Sequence, residues 1–111
     1  MNQEIKQYLT KYPDKIQTLY FDLDKLIIAS TKTELTEKFW AKIPSYYHGE
    51  NFVRLIPFKD HINIEAKFIL QHKNEMEMFK ITPKGMLQLY PEQDIPADIL
   101  SLIFKETLLD K

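Results

Sequence analysis

The sequence predicts an α+β fold in which helices cover one face of an antiparallel sheet. Three observations support this prediction. Hydrophobic residues recur with a period near 3.6 towards both ends of the chain. In the middle they recur with a period of two, and the elements follow an order with two helices first and one last. The length of 111 residues is typical of one domain, so we expect residues 1–111 to form a single unit.

A helix pair is predicted at the start of the chain and a single helix at its end. Asn2 is a suitable N-cap for the first helix, and Pro13 ends that helix and opens the second. The second helix has one apolar stripe, formed by Ile16, Leu19, Tyr20, Leu23, Leu26 and Ile27. Pro96 opens the final helix, for which we predict four inward residues: Ile99, Leu102, Ile103 and Leu109.

Most of the middle of the chain is predicted to be strand. Residues 38–43 alternate between polar and apolar side chains, which indicates one strand. Pro44 then permits only an edge or an end of pairing, and Tyr46 and Tyr47 indicate a short strand. Residues 67–77 are predicted to form a helix that buries Phe68, Leu70 and Met76. Short strands are predicted at residues 79–81 and 86–89.

A tight hairpin is predicted between residues 52–58 and 61–65. Only Lys59 and Asp60 separate the two segments, and a two-residue loop fixes the register of a hairpin. That register places Arg54 opposite Glu65. One face is then wholly apolar and should meet the helices: Val53, Leu55, Pro57, Ile62, Ile64 and Ala66. The other face mixes apolar and charged groups: Arg54, Ile56, Phe58, His61, Asn63 and Glu65.

Composition excludes several classes of function. The chain has no cysteine, which excludes disulfides, thiolate metal sites and thiol catalysis. Its formal net charge of -1 removes the general argument for a nucleic-acid or membrane partner. Residues 26–29 form the longest aliphatic run, far too short to span a bilayer, so we expect a cytoplasmic protein. With two glycines and no nucleophile elbow, we expect a binding domain and not an enzyme.

The mixed face of the hairpin is the candidate binding surface. One face of an antiparallel sheet is often simply solvated. Phe52, Ile56 and Phe58 line up on this one, however, and a contiguous apolar sheet surface indicates a partner or a ligand. The candidate binding residues are Trp40, Tyr46, Arg54, Phe58, Lys59 and His61. The three histidines show no metal-ligand spacing, so the sequence assigns no metal ligands. A weaker alternative is an enzyme that uses His61 as acid or base.

Several short motifs, taken in order, resemble the YdhG-like domain family over almost the whole chain. They are Ile43-Pro44-Ser45-Tyr46, Pro57-Phe58-Lys59-Asp60-His61-Ile62, and Lys84-Gly85-Met86-Leu87-Gln88-Leu89 followed by Asp94-Ile95-Pro96. The resemblance implies a frataxin-like fold and the role of an intracellular iron chaperone. Among the matching positions, Phe58, Lys59 and His61 are the ones suited to contact a partner, whereas Pro44 and Gly85 suit turns.

Two function hypotheses follow. The leading one is a frataxin-like iron-handling or adaptor role, in which the partner is an iron–sulfur assembly protein and iron is implied by the resemblance alone. The alternative is a module without a metal role that binds a small molecule or peptide, in a pocket where Trp40, Tyr46 and Phe58 meet. A flat exposed sheet would favour the adaptor, an enclosed apolar cavity the ligand module, and a deep cleft around His61 the enzyme.

Overall fold

A six-stranded antiparallel sheet carries helices on one face in the computed structural model, which describes all 111 residues. The helices are α1 (Gln3–Leu9), α2 (Asp14–Ser30) and α3 (Ala97–Leu108), with a 3₁₀ helix at Leu70–Met76. The strands are β1 (Thr36–Trp40), β2 (Ile43–His48), β3 (Asn51–Pro57), β4 (Ile62–Ala66), β5 (Lys80–Ile81) and β6 (Leu87–Leu89). Their order across the sheet is β1-β2-β3-β4-β6-β5. The predicted α+β class, with a helix pair first and a helix last, is confirmed.

The N-terminal helices begin where the sequence predicts. The Oδ1 atom of Asn2 accepts a hydrogen bond of 2.9 Å from the backbone N–H of Ile5, which satisfies one free donor of α1. Pro13 precedes the first turn of α2. The predicted stripe of α2 is buried except for Leu26, which is only partly covered. These apolar side chains hold the helix against the sheet.

The hairpin of β3 and β4 has the predicted register. The backbone N–H of Phe58 donates to the carbonyl of His61 across 2.8 Å and closes the two-residue loop. Arg54 lies opposite Glu65, and Leu55 lies opposite Ile64. All six residues of the predicted apolar face are buried beneath α2 and α3. The opposite face of the hairpin therefore points away from the helices, because successive strand residues alternate between faces.

The prediction of one strand over residues 38–43 is wrong. The chain instead folds back at Ala41 and Lys42, whose φ angles are 49° and 67°. Two central residues with positive φ form the kind of turn that matches the twist of a hairpin. The usual sequence signal for this turn is Asn or Gly, and neither is present. The alternation of polar and apolar residues therefore predicted an uninterrupted strand. Pro44 is tolerated because pairing between β2 and β3 begins one residue later, at Ser45.

Two helical predictions also need correction. Residues 67–77 do not form an α-helix but a shorter 3₁₀ helix, in which His72 has a non-helical φ of -111°. Ile69 and Met76 are buried there, whereas Leu70 is exposed. The inward residues of α3 are Leu100, Ile103, Phe104, Thr107 and Leu108. Of the predicted inward residues Ile103 is confirmed, whereas Leu102 and Leu109 are exposed. Apolar residues occur on both sides of this helix, which makes its periodicity ambiguous.

No helix in the chain combines the length and the apolar character needed to cross a membrane.

Candidate functional site: the open face of the sheet

One face of the sheet has no helix on it, and we call this the open face. Paired residues of antiparallel strands lie on the same face, so the register defines its rows. One row contains Ile56, Asn63, Gln88 and Lys80. Trp40 and Ile43 pair with each other on the same face, at the ends of β1 and β2. Arg54 and Glu65 belong to the next row, with Ser45 and Lys38. Exposure confirms the assignment at the two large aromatic residues, because Trp40 is 52% and Phe58 is 42% exposed.

Arg54 organises the middle of the open face. Its Nε donates to Ser45 Oγ across 3.1 Å and its Nη2 donates to the Tyr47 hydroxyl across 3.0 Å. Its Nη1 lies 3.4 Å from Glu65 Oε1, as the predicted cross-strand pair requires. Its Cζ lies 4.0 Å from the ring centroid of Trp40 and 3.7 Å from that of Phe52. The side chain is thus fully engaged inside the chain, and Arg54 supports the open face without presenting a free cation.

An aromatic stack closes one end of the open face. The rings of Phe58 and His61 are stacked, with centroids 4.6 Å apart and planes 12° apart. The ring of Tyr90 also lies beside His61, with centroids 5.2 Å apart. The Nδ1 atom of His61 bonds to Asp60 Oδ1 across 2.6 Å. Sequence reasoning missed Tyr90, because the pairing of β4 with β6 that brings it here was not predicted.

Four apolar side chains form a patch beside this stack, and we call Trp40, Ile43, Ile56 and Phe58 the open-face patch. Trp40 pairs with Ile43, Ile56 lies on the same face of β3, and Phe58 follows Ile56 by two residues along the chain. In consecutive antiparallel hairpins, the first and third turns lie at the same end of the sheet. Trp40 and Ile43 flank the first of these turns and Phe58 the other, so the patch lies at that end.

Tyr46 does not join the other predicted binding residues. It lies on the covered face and is fully buried. Its hydroxyl donates to Asp24 Oδ1 across 2.7 Å and lies 3.3 Å from the Tyr20 hydroxyl. Burial, reinforced by Tyr20 and Asp24, raises the pKa of Tyr46 well above its usual value. Trp40, Tyr46 and Phe58 therefore do not meet in a pocket, because the sheet itself separates Tyr46 from the other two.

The side chains do not fit an iron site. His48 uses its Nδ1 on the carbonyl of Leu108, 2.9 Å away. His72 has Glu75 at 2.9 Å from one ring nitrogen and Glu106 at 2.7 Å from the other. Carboxylates on opposite edges of a ring cannot converge on one ion; instead they raise the pKa of His72. No group of three or more His, Asp or Glu side chains is arranged to hold a metal ion.

A shallow cleft of about 390 Å³ lies at the other end of the sheet. Phe52 and Glu65 line it from the open face, and Lys67 and Lys84 line it from the following loops. Gly85 is also at its wall, with a φ of 86°, and a Cβ there would lie 3.2 Å from the Leu70 side chain. A positive φ is a backbone conformation that favours glycine, so Gly85 has the role expected of a turn residue.

Comparisons with protein-family models, with curated proteins and with solved structures find no match for this chain. The resemblance to the YdhG-like family, and the role that it implies, therefore remain predictions.

Proposed function

We propose that this chain is a non-enzymatic adaptor that docks a partner protein on the open face of its sheet. The observation that carries the proposal is the open-face patch, in which Trp40 and Phe58 expose about half of their surface on a face that no helix covers. Protein interfaces are typically built around aromatic anchors with a polar rim. The family resemblance suggests an iron–sulfur assembly protein as the partner.

An adaptor accounts for the surroundings of His61 better than an enzyme does. The ring is stacked against Phe58, and Asp60, its neighbour in the sequence, is its hydrogen-bond partner. General acid–base catalysis needs the side chain within reach of a bound reacting group. His61 instead lies at a hairpin tip, beside Phe58 and Tyr90. We therefore assign it a contact role at the edge of the patch.

The docking proposal is tested by photo-crosslinking from two positions with matched exposure. Benzoylphenylalanine replaces Phe58, which is 42% exposed on the open face, or Leu102, which is 44% exposed on α3. In the host cell we expect a discrete protein adduct from position 58 and not from position 102. The same adducts from both positions, or none from position 58, would contradict docking at the open face.

Iron handling is tested separately from docking. Ferrous iron is titrated anaerobically into isotope-labelled protein, and amide resonances are followed by NMR. Because the side chains offer no converging ligand set, we expect no selective broadening at stoichiometric iron in the chain alone. Selective broadening around residues 60–65 would place iron at the hairpin and restore the chaperone role that the resemblance implies.

A second function, the binding of a small molecule, is favoured by the cleft beside Phe52 and Lys84. Its volume of about 390 Å³ falls within the range of ligand pockets. Both acidic and basic side chains line it, which suits a zwitterionic compound. A free amino acid mixture that shifts the amides of Gly85 and Ala66, but not those of the open-face patch, would support this function over docking.

A further inference from the structure

The edge strand β1 leaves part of its backbone unpaired. It is the outermost strand on one side of the sheet and pairs only with β2. The hairpin between them has a two-residue turn, so Trp40 and Ile43 exchange both backbone hydrogen bonds, and every second pair along the strands does the same. Lys38 therefore points its backbone groups at β2, whereas its neighbours Glu37 and Phe39 point theirs at the free edge.

Two other residues support this alternation. Pro44 has no N–H and lies opposite Phe39, at a pair that needs no hydrogen bond between β1 and β2. The Nδ2 atom of Asn2 donates to the carbonyl of Glu37 across 3.3 Å, as expected of a carbonyl that points outwards. Outside the ladder of β1 and β2, no hydrogen bond reaches the N–H or the carbonyl of Phe39. Phe39 thus has an unpaired donor and an unpaired acceptor at the edge of the sheet.

A cleft lies next to this edge, on the covered side of the sheet. Its volume is about 380 Å³, and four side chains line it: Tyr8, Lys11, Phe39 and Lys42. The rings of Tyr8 and Phe39 form its apolar walls, in an edge-to-face contact with centroids 5.4 Å apart. The volume is at the lower end of the range for binding pockets, which suits one large apolar side chain.

We propose that an extended segment of a partner protein adds to the edge of β1 opposite Phe39. Apart from Trp40 this site is separate from the open-face patch, so the inference goes beyond docking at the open face. The segment exchanges two backbone hydrogen bonds with Phe39, as in β-strand addition. Paired residues lie on the same face, so the side chain opposite Phe39 enters the cleft. The next side chain lies beside Trp40 on the open face.

The edge and the cleft together identify the occupant. An unpaired N–H beside an unpaired carbonyl is complementary to another extended polypeptide backbone. A second copy of this chain fits less well, because its own Phe39 ring is held against its own Tyr8 and is not free to enter the cleft. Asn2 also occupies the edge at Glu37, so two copies would exchange hydrogen bonds at Phe39 alone. The occupant is therefore a strand-forming segment of another protein with a free aromatic or aliphatic side chain.

Amide hydrogen exchange, followed by NMR, tests whether the edge is free. In the chain alone, the amide of Phe39 should exchange about 10-fold or more faster than those of Lys38 and Trp40, which point at β2. Slow exchange at Phe39 in dilute protein would show that the edge is already covered and would overturn the inference. Protection that appears only as the protein concentration rises would identify a second copy as the occupant, and would also overturn it.

A capped pentapeptide of sequence Thr-Val-Phe-Val-Thr tests the pairing itself. At a peptide concentration of about ten times its Kd, exchange at Phe39 should slow about 10-fold. N-methylation of the central residue removes one hydrogen bond and should weaken binding about 2- to 10-fold. Alanine at the central position leaves the cleft empty and should weaken binding about 10-fold or more. Equal binding of all three peptides, or no protection of Phe39 at millimolar peptide, would refute strand addition at this edge.

Two aromatic variants separate this site from the open-face patch. Tyr8→Ala removes one wall of the cleft, and Phe58→Ala removes a ring of the patch. We expect the peptide to bind more weakly to Tyr8→Ala and equally well to Phe58→Ala. A circular dichroism melt checks that each variant folds, and the peptide series tests the inference if Tyr8→Ala does not. Binding lost in Phe58→Ala and kept in Tyr8→Ala would overturn the edge site and support docking at the open face.

Discussion

The two faces of the sheet bury polar groups by different means. On the covered face, Tyr46 is enclosed by helix α2 and bonds to Asp24 and Tyr20. On the open face, Arg54 is almost as buried, although no helix lies above it. Side chains of the sheet itself, chiefly Trp40 and Phe52, cover it. In the middle of the open face, side chains of the sheet therefore cover Arg54, whereas one end of that face carries the apolar open-face patch.

This difference separates residues that shape a surface from residues that can bind on it. Tyr46 and Arg54 both have their polar atoms satisfied within the chain, whereas Trp40 and Phe58 keep about half of their surface exposed. A partner can reach Trp40 and Phe58 without unfolding any part of the protein. Displacing Arg54 would instead expose unsatisfied groups on Ser45, Tyr47 and Glu65, which is costly.

The largest effect is expected on the free energy of unfolding, in a comparison of two neighbouring residues of β3 that point to opposite faces of the sheet. Leu55 is fully buried beneath the helices, and Ile56 is half-buried on the open face. Leu55→Ala should lower the free energy of unfolding by about 2–5 kcal/mol, because it leaves a cavity in the core. Ile56→Ala should lower it by about 1 kcal/mol, because solvent reaches that position already. Urea denaturation of both variants measures the difference.

Equal losses of stability in these two variants would contradict the comparison. They would mean that something covers the open face in solution, and a second copy of the chain is then the first occupant to test by sedimentation. A concentration-independent loss for Ile56→Ala as large as that for Leu55→Ala would instead place Ile56 in the core.

The hairpin of β3 and β4 shows how much of the fold the sequence could predict. Its two-residue loop and the strict alternation of its strands indicate the same register, and that register is confirmed from Val53 to Pro57. The turn at Ala41 and Lys42 carries no glycine or asparagine, so local chemistry gave no sign of it. The 3₁₀ helix and the phase of α3 depend on packing against other elements, and periodicity in one segment does not encode that.

The candidate site was predictable only in part, for the same reason. Phe58, Lys59 and His61 belong to the hairpin, and the structure keeps them together at its tip. Trp40 reaches the same surface through two turns, and the sequence did not predict the first of them, at Ala41 and Lys42. Tyr46 was assigned to the site because it is aromatic and near Trp40 in sequence. The side of the sheet on which it lies follows only from the pairing of β2 with β3.

The second prediction concerns the cluster that Arg54 forms with its neighbours on the open face. Arg54→Ala should lower the free energy of unfolding by about 2 kcal/mol, because it removes the hydrogen bonds to Ser45 and Tyr47 and the packing on Trp40. Tryptophan fluorescence should shift to longer wavelength, since Trp40 is the one tryptophan of the chain and loses its neighbour. Urea denaturation followed by fluorescence measures both effects.

Arg54→Lys is the matched control for that change. It keeps the positive charge beside Glu65 but loses the planar fork that reaches several acceptors. We expect most of the loss to remain in Arg54→Lys. Full stability in this variant would show that charge alone holds the cluster, and that the contacts with Trp40 and Phe52 are incidental.

The smallest expected effect lies on the helix side, where His72 joins the 3₁₀ helix to α3. Hydrogen bonds to Glu75 and Glu106 raise the pKa of His72 above its usual value of 6.5. The folded chain therefore holds this proton more tightly than the unfolded chain does. The resulting stability is fully present below pH 6.5 and is lost as the pH rises through the folded pKa. Both carboxylates are partly exposed, so the loss should stay below about 1 kcal/mol.

Two measurements separate His72 from the other histidines. In an NMR titration of the imidazole Hε1 resonances, the signal absent from His72→Gln should titrate above pH 6.5. Urea denaturation between pH 6 and pH 9 should show a decline in stability for the wild type that is smaller in His72→Gln. An identical decline in both proteins would assign the pH dependence to other groups. The contact between the 3₁₀ helix and α3 would then depend on packing of Ile69 and Met76, which the covered face already buries.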